Sequence, residues 1–484
     1  MPDFKLFPLP FWLTLLAIAF FAIRSWQQSE SSLRIPMLMV LFTITIWYVV
    51  DALYNDYTLY ILETSKVSLE NAWWETLGFI CAFGLLSPLV HRSFNRKYLG
   101  RPSILLSLVR HGGLKSNKIQ DQVDILFRFL LILWIGLMTV ALIRTDFNFS
   151  NLFTPYLSDV AYPWARARVG TNFDSLLSVA AYLQIGLTAA LGVVAALACR
   201  RTTLFPALIV LFLALPDFIF DRTRGNLLAT TLPGFLTFVF VRVRAGTLVR
   251  AVILILGFLA LDSWLKFVIE NRSANSITTA FRLGLAGKTA PIESGKHSGL
   301  NMFEELGYIN YFLANKSYHP NWGARYFAEI VNPIPRSLWP GKPYVGIDYA
   351  IVRGQGYGSS DNAQAGVGAS VSTGMIGQGV VNFGRILGPL SAALIMAFWA
   401  AILARQDIRG GETGRLLLYA IGLILTFNMG RDITLFVTYP FLFGYLLLLI
   451  FANKSKQNTA PAVRPPRRRI APSGSPPPKT AKIA

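Results

Sequence analysis

Three short basic clusters stand out in an otherwise apolar chain: Asp221-Arg222-Thr-Arg224-Gly225-Asn226, Arg336 with Lys342, and Arg431-Asp432. An arginine at the edge of a long apolar run is costly unless it snorkels, pairs or binds an anion. Taken singly, each cluster reads equally well as interface snorkelling or as a local pair such as Arg431–Asp432. Taken together, they fall on one side of the membrane by the span count below. Several guanidinium forks there suit the oxygens of a phosphate or pyrophosphate. Gly225, at the opening of an apolar run, lets backbone N–H groups approach the same anion. As proton acceptors the sequence offers His319, whose ordinary pKa suits neutral pH, and the carboxylates Asp348, Asp361, Glu304 and Glu305. His319 reads first as a loop residue, and spacing does not rank the acids.

Metal and nucleotide chemistry are not expected. The four histidines are scattered, no Asp-x-Asp pair or Gly-x-x-x-x-Gly-Lys loop occurs, and Cys81 and Cys199 lie inside apolar runs. No cofactor is implied. The net charge of +20 would suggest nucleic acid in a soluble protein. Here the basic residues sit between apolar runs and at the C-terminus, so the expected partner is membrane lipid, with no nucleic acid.

The elements that must position these residues are membrane helices. The chain of 484 residues is 53% hydrophobic and only 14% charged, and its mean hydropathy is +0.47. A soluble chain carries about a quarter charged residues. A span needs about 20 mostly apolar residues. The candidate spans are 7–24, 35–53, 74–90, 124–143, 175–198, 203–220, 225–242, 247–268, 374–403, 415–429 and 433–452. The expectation is an all-α polytopic membrane protein of about 11 transmembrane helices, with one large folded periplasmic loop between the eighth and ninth spans.

The division is 1–268 (N-terminal helices), 269–373 (cap loop), 374–453 (C-terminal helices) and 454–484, a Pro-rich basic tail too polar to bury a core. Arg92, Arg96, Lys97, Arg101, Arg200, Arg405 and Arg415 then share the cytoplasmic side, and the cap and the three clusters share the other. The cap carries Trp322, Tyr326, Trp339, Tyr344 and Tyr357, aromatics suited to packing the loop or to stacking on sugars.

Arg224-Gly225 opening a span, Pro333-Ile-Pro-Arg-Ser-Leu-Trp-Pro-Gly-Lys-Pro343, and Gly377-Gln378-Gly-Val-Val-Asn382-Phe383-Gly384 entering the next span make a pattern. In these stretches the chain resembles the Wzy-type O-antigen and oligosaccharide repeat-unit polymerases, and the span layout extends the resemblance over most of its length. The resemblance implies a bacterial inner-membrane glycosyltransferase with a periplasmic active site. Its substrates would be undecaprenyl-pyrophosphate-linked oligosaccharides, and its further partners a chain-length regulator and a flippase. Arg222, Arg224, Arg336, Lys342, Arg431, Gln378 and Trp339 are the expected substrate-binding residues. The base is to be found among His319, Asp361, Asp348 and Glu304. The family often carries a glutamate where this chain has Gln378, so that position reads as a hydrogen-bonding one. A ligase using the same donor with another acceptor, and a lipid-linked-oligosaccharide transporter, are the alternative readings.

Overall fold

The computed structural model describes residues 7–28, 31–54, 57, 64–106, 117–148, 163–164, 174–219, 224–243, 246–270, 301–332, 334–335, 337–354, 371–410 and 414–458. Among these residues every regular element is helical. The helices are α1 (Leu9–Gln27), α2 (Arg34–Ile44, continued by a π-helical stretch Thr45–Val50 and the turn Asp51–Tyr54), α3 (Lys66–Phe94), α4 (Asn117–Arg144), α5 (Asp174–Leu197), α6 (Arg201–Ile219) and α7 (Arg224–Thr237, continued by a π-helical Phe238–Arg242). They are followed by α8 (Thr247–Glu270), the short α9 (Met302–Ala314), α10 (Ala324–Val331) and α11 (Ile347–Val352), and then α12 (Gly374–Ile408), α13 (Arg415–Met429) and α14 (Leu435–Asn458).

Among the described residues, seven helices are long and apolar enough to cross a membrane: Leu9–Gln27, Arg34–Leu53, Lys66–Phe94, Gln120–Arg144, Ala180–Leu197, Arg201–Ile219 and Gly374–Ile408. This is a helical membrane protein. The other four expected intervals are helical as well, but shorter or interrupted. In α8, α13 and α14 the apolar stretches are Leu248–Leu261, Arg415–Met429 and Val437–Leu446. α7 contains Pro233 and ends in a π-helical stretch. Lipid-type faces run along the outside, where Phe212, Leu248 and Ile386 are each 78–80% exposed.

Inside the bundle, α3 and α12 pack along most of their length. Small residues bring other pairs close: the Gly192 and Gly234 backbones of α5 and α7 touch, and a methyl on Gly234 would collide with Gly192. Such contacts suit helices that cannot rely on a hydrophobic driving force between them. α1 runs parallel to α3, with Phe11 on Trp73 at a ring distance of 4.9 Å and Phe21 against Gly84.

α12 is not one straight rod. Gly384 sits at φ 76° and ψ −177°, outside helical space. A methyl at Gly379 would overlap the Gly388 carbonyl, and one at Gly388 would overlap Val380. Residues nine apart in a continuous helix stand about 13 Å apart. The chain therefore doubles back at Gly384, and a buried half-helix, 374–383, lies against the start of the following helix. Residues 385–408 carry the crossing, at about 36 Å for a rise of 1.5 Å per residue. The expected span 374–403 is corrected to this extent: its first turns belong to the hairpin. A half-helix that does not cross is tolerated in a membrane protein where protein covers it, and Gly374 through Asn382 are all buried.

At one end of the bundle, α9, α10 and α11 sit over this hairpin. At the other end, Asn95 donates to the Ala401 carbonyl at 3.0 Å, Leu105 N–H donates to Asp407 at 2.9 Å, and Arg415 donates to Gln406 at 2.7 Å. Arg405 lies over the Phe94 ring at 5.1 Å, so the basic loops after α3 and α12 share that end.

Candidate functional site

α9 is fixed to the bundle through its polar groups. Its own flanking residue Asn301 makes no capping bond. Instead Asp51, fully buried at the end of the α2 segment, accepts from the N–H groups of Phe303 at 2.9 Å and Glu304 at 3.4 Å. A carboxylate placed there also complements the helix dipole. Further along, Asn310 donates to Glu75 of α3 at 2.7 Å. Glu305 receives Tyr349 at 2.7 Å and both arms of Arg353 at 3.2 Å, and Arg353 lies 3.5 Å over the Tyr308 ring. These bonds lock α11 onto α9. Glu304 is buried beside Tyr57, whose hydroxyl is driven up by burial and by that carboxylate.

α10 is built inside out. It starts after Trp322 and Gly323, both in left-handed backbone, and ends at Asn332 before Pro333, a residue that disfavours helix in its predecessor. The Asn-Phe-Gly stretch of α12 holds its first turn. Asn382 accepts from Tyr326 N–H at 3.3 Å, the Phe383 ring lies 6.2 Å from that of Tyr326, and the Gly384 turn meets Pro320. The face turned inward carries Arg325 and Glu329, 4% and 5% exposed.

Arg325 donates to the Val371 carbonyl at 3.3 Å. Its Nε and Nη1, and Glu329 Oε2, are buried with no hydrogen-bond partner among the described residues. Asp432 faces the same guanidinium and is oriented by Thr373, whose N–H donates to it at 3.1 Å. Burial pushes the Glu329 carboxyl up to about 8, against the pull of Arg325 and with the help of Asp432. Burial raises Asp432 as well, with Arg325 opposing. A guanidinium aimed into the interior and a carboxyl titrating near neutrality are the parts of an anion clamp and a general base.

No family model, curated protein or solved structure matches this chain. The site is therefore read from its own geometry. Among the described residues no group of three or more His, Cys, Asp or Glu side chains converges as a metal site.

The residues expected from the sequence are distributed as follows. Gln378 is fully buried and bonds both backbone groups of Ile433, donating at 3.0 Å and accepting at 2.8 Å. It pins the loop that carries Arg431 and Asp432. Arg431 lies outside and donates to Ser372 at 2.9 Å, while Asp432 turns inward, so the adjacent pair divides between two faces. Lys342 is buried, and its ammonium donates to the Asn332 and Ile334 carbonyls at 2.7 and 2.8 Å, closing the Pro-rich turn. Asp348 accepts from Tyr318 at 2.6 Å and Asn321 at 3.4 Å. His319 is exposed beside them, and Trp339 packs edge-on to Phe327 at the surface. Arg224 opens α7, as expected for its position, but its side chain, together with Arg222, Arg336, Asp361 and Tyr357, lies outside the described residues.

A second feature adjoins the hairpin. Between α3 and α12 a cleft of about 620 Å³ is lined by Asn71, Trp74, Glu75, Arg385, Ile386 and Leu390, with Arg385 Nε 3.6 Å from Glu75. At Leu390 it meets an apolar trough of about 440 Å³ formed with Leu86, Phe383, Leu387 and Leu394. A polar head above an apolar channel is the shape of an amphiphile.

Arg325 and Glu329 escaped the sequence reading because an Arg–Glu pair four residues apart ordinarily marks a solvent-facing helix side. The available signal was the opposite stripe, Phe327 and Ile330, in a segment otherwise read as water-exposed.

Proposed function

We propose that the chain is a membrane glycosyltransferase that polymerises undecaprenyl-pyrophosphate-linked oligosaccharide repeat units at the periplasmic face. The observation that carries this reading is the Arg325–Glu329 face, a guanidinium and a carboxyl buried one turn apart with polar atoms left open. Removing an ion from water costs several kcal/mol unless it is compensated, and a bound anion and a substrate hydroxyl would supply the compensation.

In this reading Glu329 takes the proton of the acceptor sugar hydroxyl. The oxygen attacks the anomeric carbon of the donor, a new C–O bond forms, and the bond to pyrophosphate breaks. The electron pair leaves on undecaprenyl pyrophosphate, whose growing charge faces Arg325. Arg224, Arg336 and Arg431 would hold the rest of the diphosphate. Glu329 then returns its proton to solvent. Direct displacement inverts the anomeric centre and calls for no metal. The cleft headed by Arg385 and the trough below it suit the phosphate and isoprenoid chain of the carrier.

The test is complementation of a host lacking the gene, with surface polysaccharide run on a gel. Glu329→Gln and Arg325→Ala, at wild-type expression, are expected to leave single repeat units in place of a ladder. A full ladder from both variants would overturn the assignment. An intact carrier-linked polymer that never reaches its final acceptor would instead indicate a ligase.

A further inference from the structure

The outward face of the cap is as unusual as its inward one. Every charged side chain described between Asn321 and Tyr344, namely Arg325, Glu329 and Lys342, is buried. The large side chains exposed there include Trp322, Phe327, Ile330, Leu338, Trp339 and Tyr344, beside small residues such as Ser337, with Leu338 78% and Trp322 73% exposed. Trp322 is even held at φ 51°, a left-handed conformation unfavourable for a residue with a side chain. A helix with charges inside and apolar side chains outside is the reverse of one that faces water.

We infer that this face lies in the lipid leaflet at the cap end, with α10 as an interfacial helix rather than part of a lid standing in water. Continuity with the crossing helix selects lipid as the occupant. Phe383 touches the start of α10 at Gly323 and Tyr326, and just beyond it the outer row of α12, Ile386, Leu387, Leu390 and Leu394, is exposed in the same way. One apolar surface thus runs from the span onto the cap. Its cap portion is rich in Trp and Tyr, the residues that settle at headgroup level. The placement does not depend on the proposed reaction. It sets Arg325 and Glu329 at headgroup depth, where a lipid-borne phosphate arrives by lateral diffusion.

The test uses the full chain in nanodiscs of phosphatidylethanolamine and phosphatidylglycerol, with Cys81 and Cys199 replaced by serine. Spin labels are placed singly by Ile330→Cys, Leu338→Cys, Ile386→Cys as the lipid reference and Lys316→Cys as the aqueous one. The expected result is that labels at 330 and 338 collide more with oxygen than with a water-soluble nickel chelate, as at 386. Chelate accessibility like that at 316 would place the face in water and overturn the inference. Protection from both reagents would mean that a second copy or another protein covers it, which also overturns it.

Discussion

Glu329 concentrates the chemistry of the site in one titration. Its carboxyl is pushed from 4.5 up to about 8 by burial, with Arg325, Asp432 and Tyr439 facing it. An acid whose folded pKa is raised binds its proton more tightly in the native state. The stability this confers is fully present below the unfolded value and is lost as pH rises through about 8. Thermal unfolding of Glu329→Gln in detergent should therefore match wild type near pH 5 and exceed it near pH 9. Parallel curves would show that the carboxyl does not titrate in this window. The same group predicts a wild-type transfer rate that falls on the acid side of about 8, where the base is protonated. A variant that is more stable yet inactive would separate a functional charge from a structural one.

At the scale of elements, two devices hold the cap end together, and each is testable. Asp51 supplies α9 with the cap it lacks locally, so Asp51→Ala should cost about 1–2 kcal/mol, and Asp51→Asn less. Thermal unfolding and protease cleavage within 301–354 read this out, and unchanged protection in the alanine variant would refute the cap. The hairpin in α12 depends on the bare backbone contact between Gly379 and Gly388. Gly379→Ala is expected to spread the two arms and lower the melting temperature by several degrees, whereas Ser391→Ala, one turn along, should change it little. Equal effects would mean that the close approach is not limiting.

These devices also mark how far the sequence was legible. Long apolar runs announced the helices, because hydropathy over about 20 residues reports burial in lipid directly. The doubling back at Gly384 was invisible to such a window, since 374–403 is apolar on both sides of the turn. The buried polar partners escaped for a related reason. Asp51, Glu75 and Arg353 act across 235 to 252 residues or between separate cap helices, as in Asp51 with Phe303 and Asn310 with Glu75. Spacing within a motif carries no trace of that. What the motifs did mark, Asn382-Phe383-Gly384 and the Pro-rich turn of Lys342, proved to be the parts that shape the backbone around the site.

For the whole molecule, the cap and the basic loops after α3 and α12 occupy opposite ends of the bundle, which makes sidedness measurable. Single cysteines at Lys97 and Lys316, in a background lacking Cys81 and Cys199, should be labelled by an impermeant maleimide from opposite sides of sealed vesicles. Labelling of both from one side would dismantle the arrangement.

The half-helix 374–383 has a further consequence, for the order in which the chain can be completed during synthesis. Met375 N–H donates to the Gly430 carbonyl at 3.2 Å, the Gln378 side chain finds its partners among the described residues on Ile433, and Thr373 N–H donates to Asp432. The floor beneath α10 therefore stays open until α13 has packed and the loop after it has been made. A chain stopped after Met429 should leave residues 301–354 open to a protease that spares the full-length protein. The charged face of α10 is thus among the last surfaces to be sealed, and a ribosome must finish nearly the entire membrane domain before the site can exist.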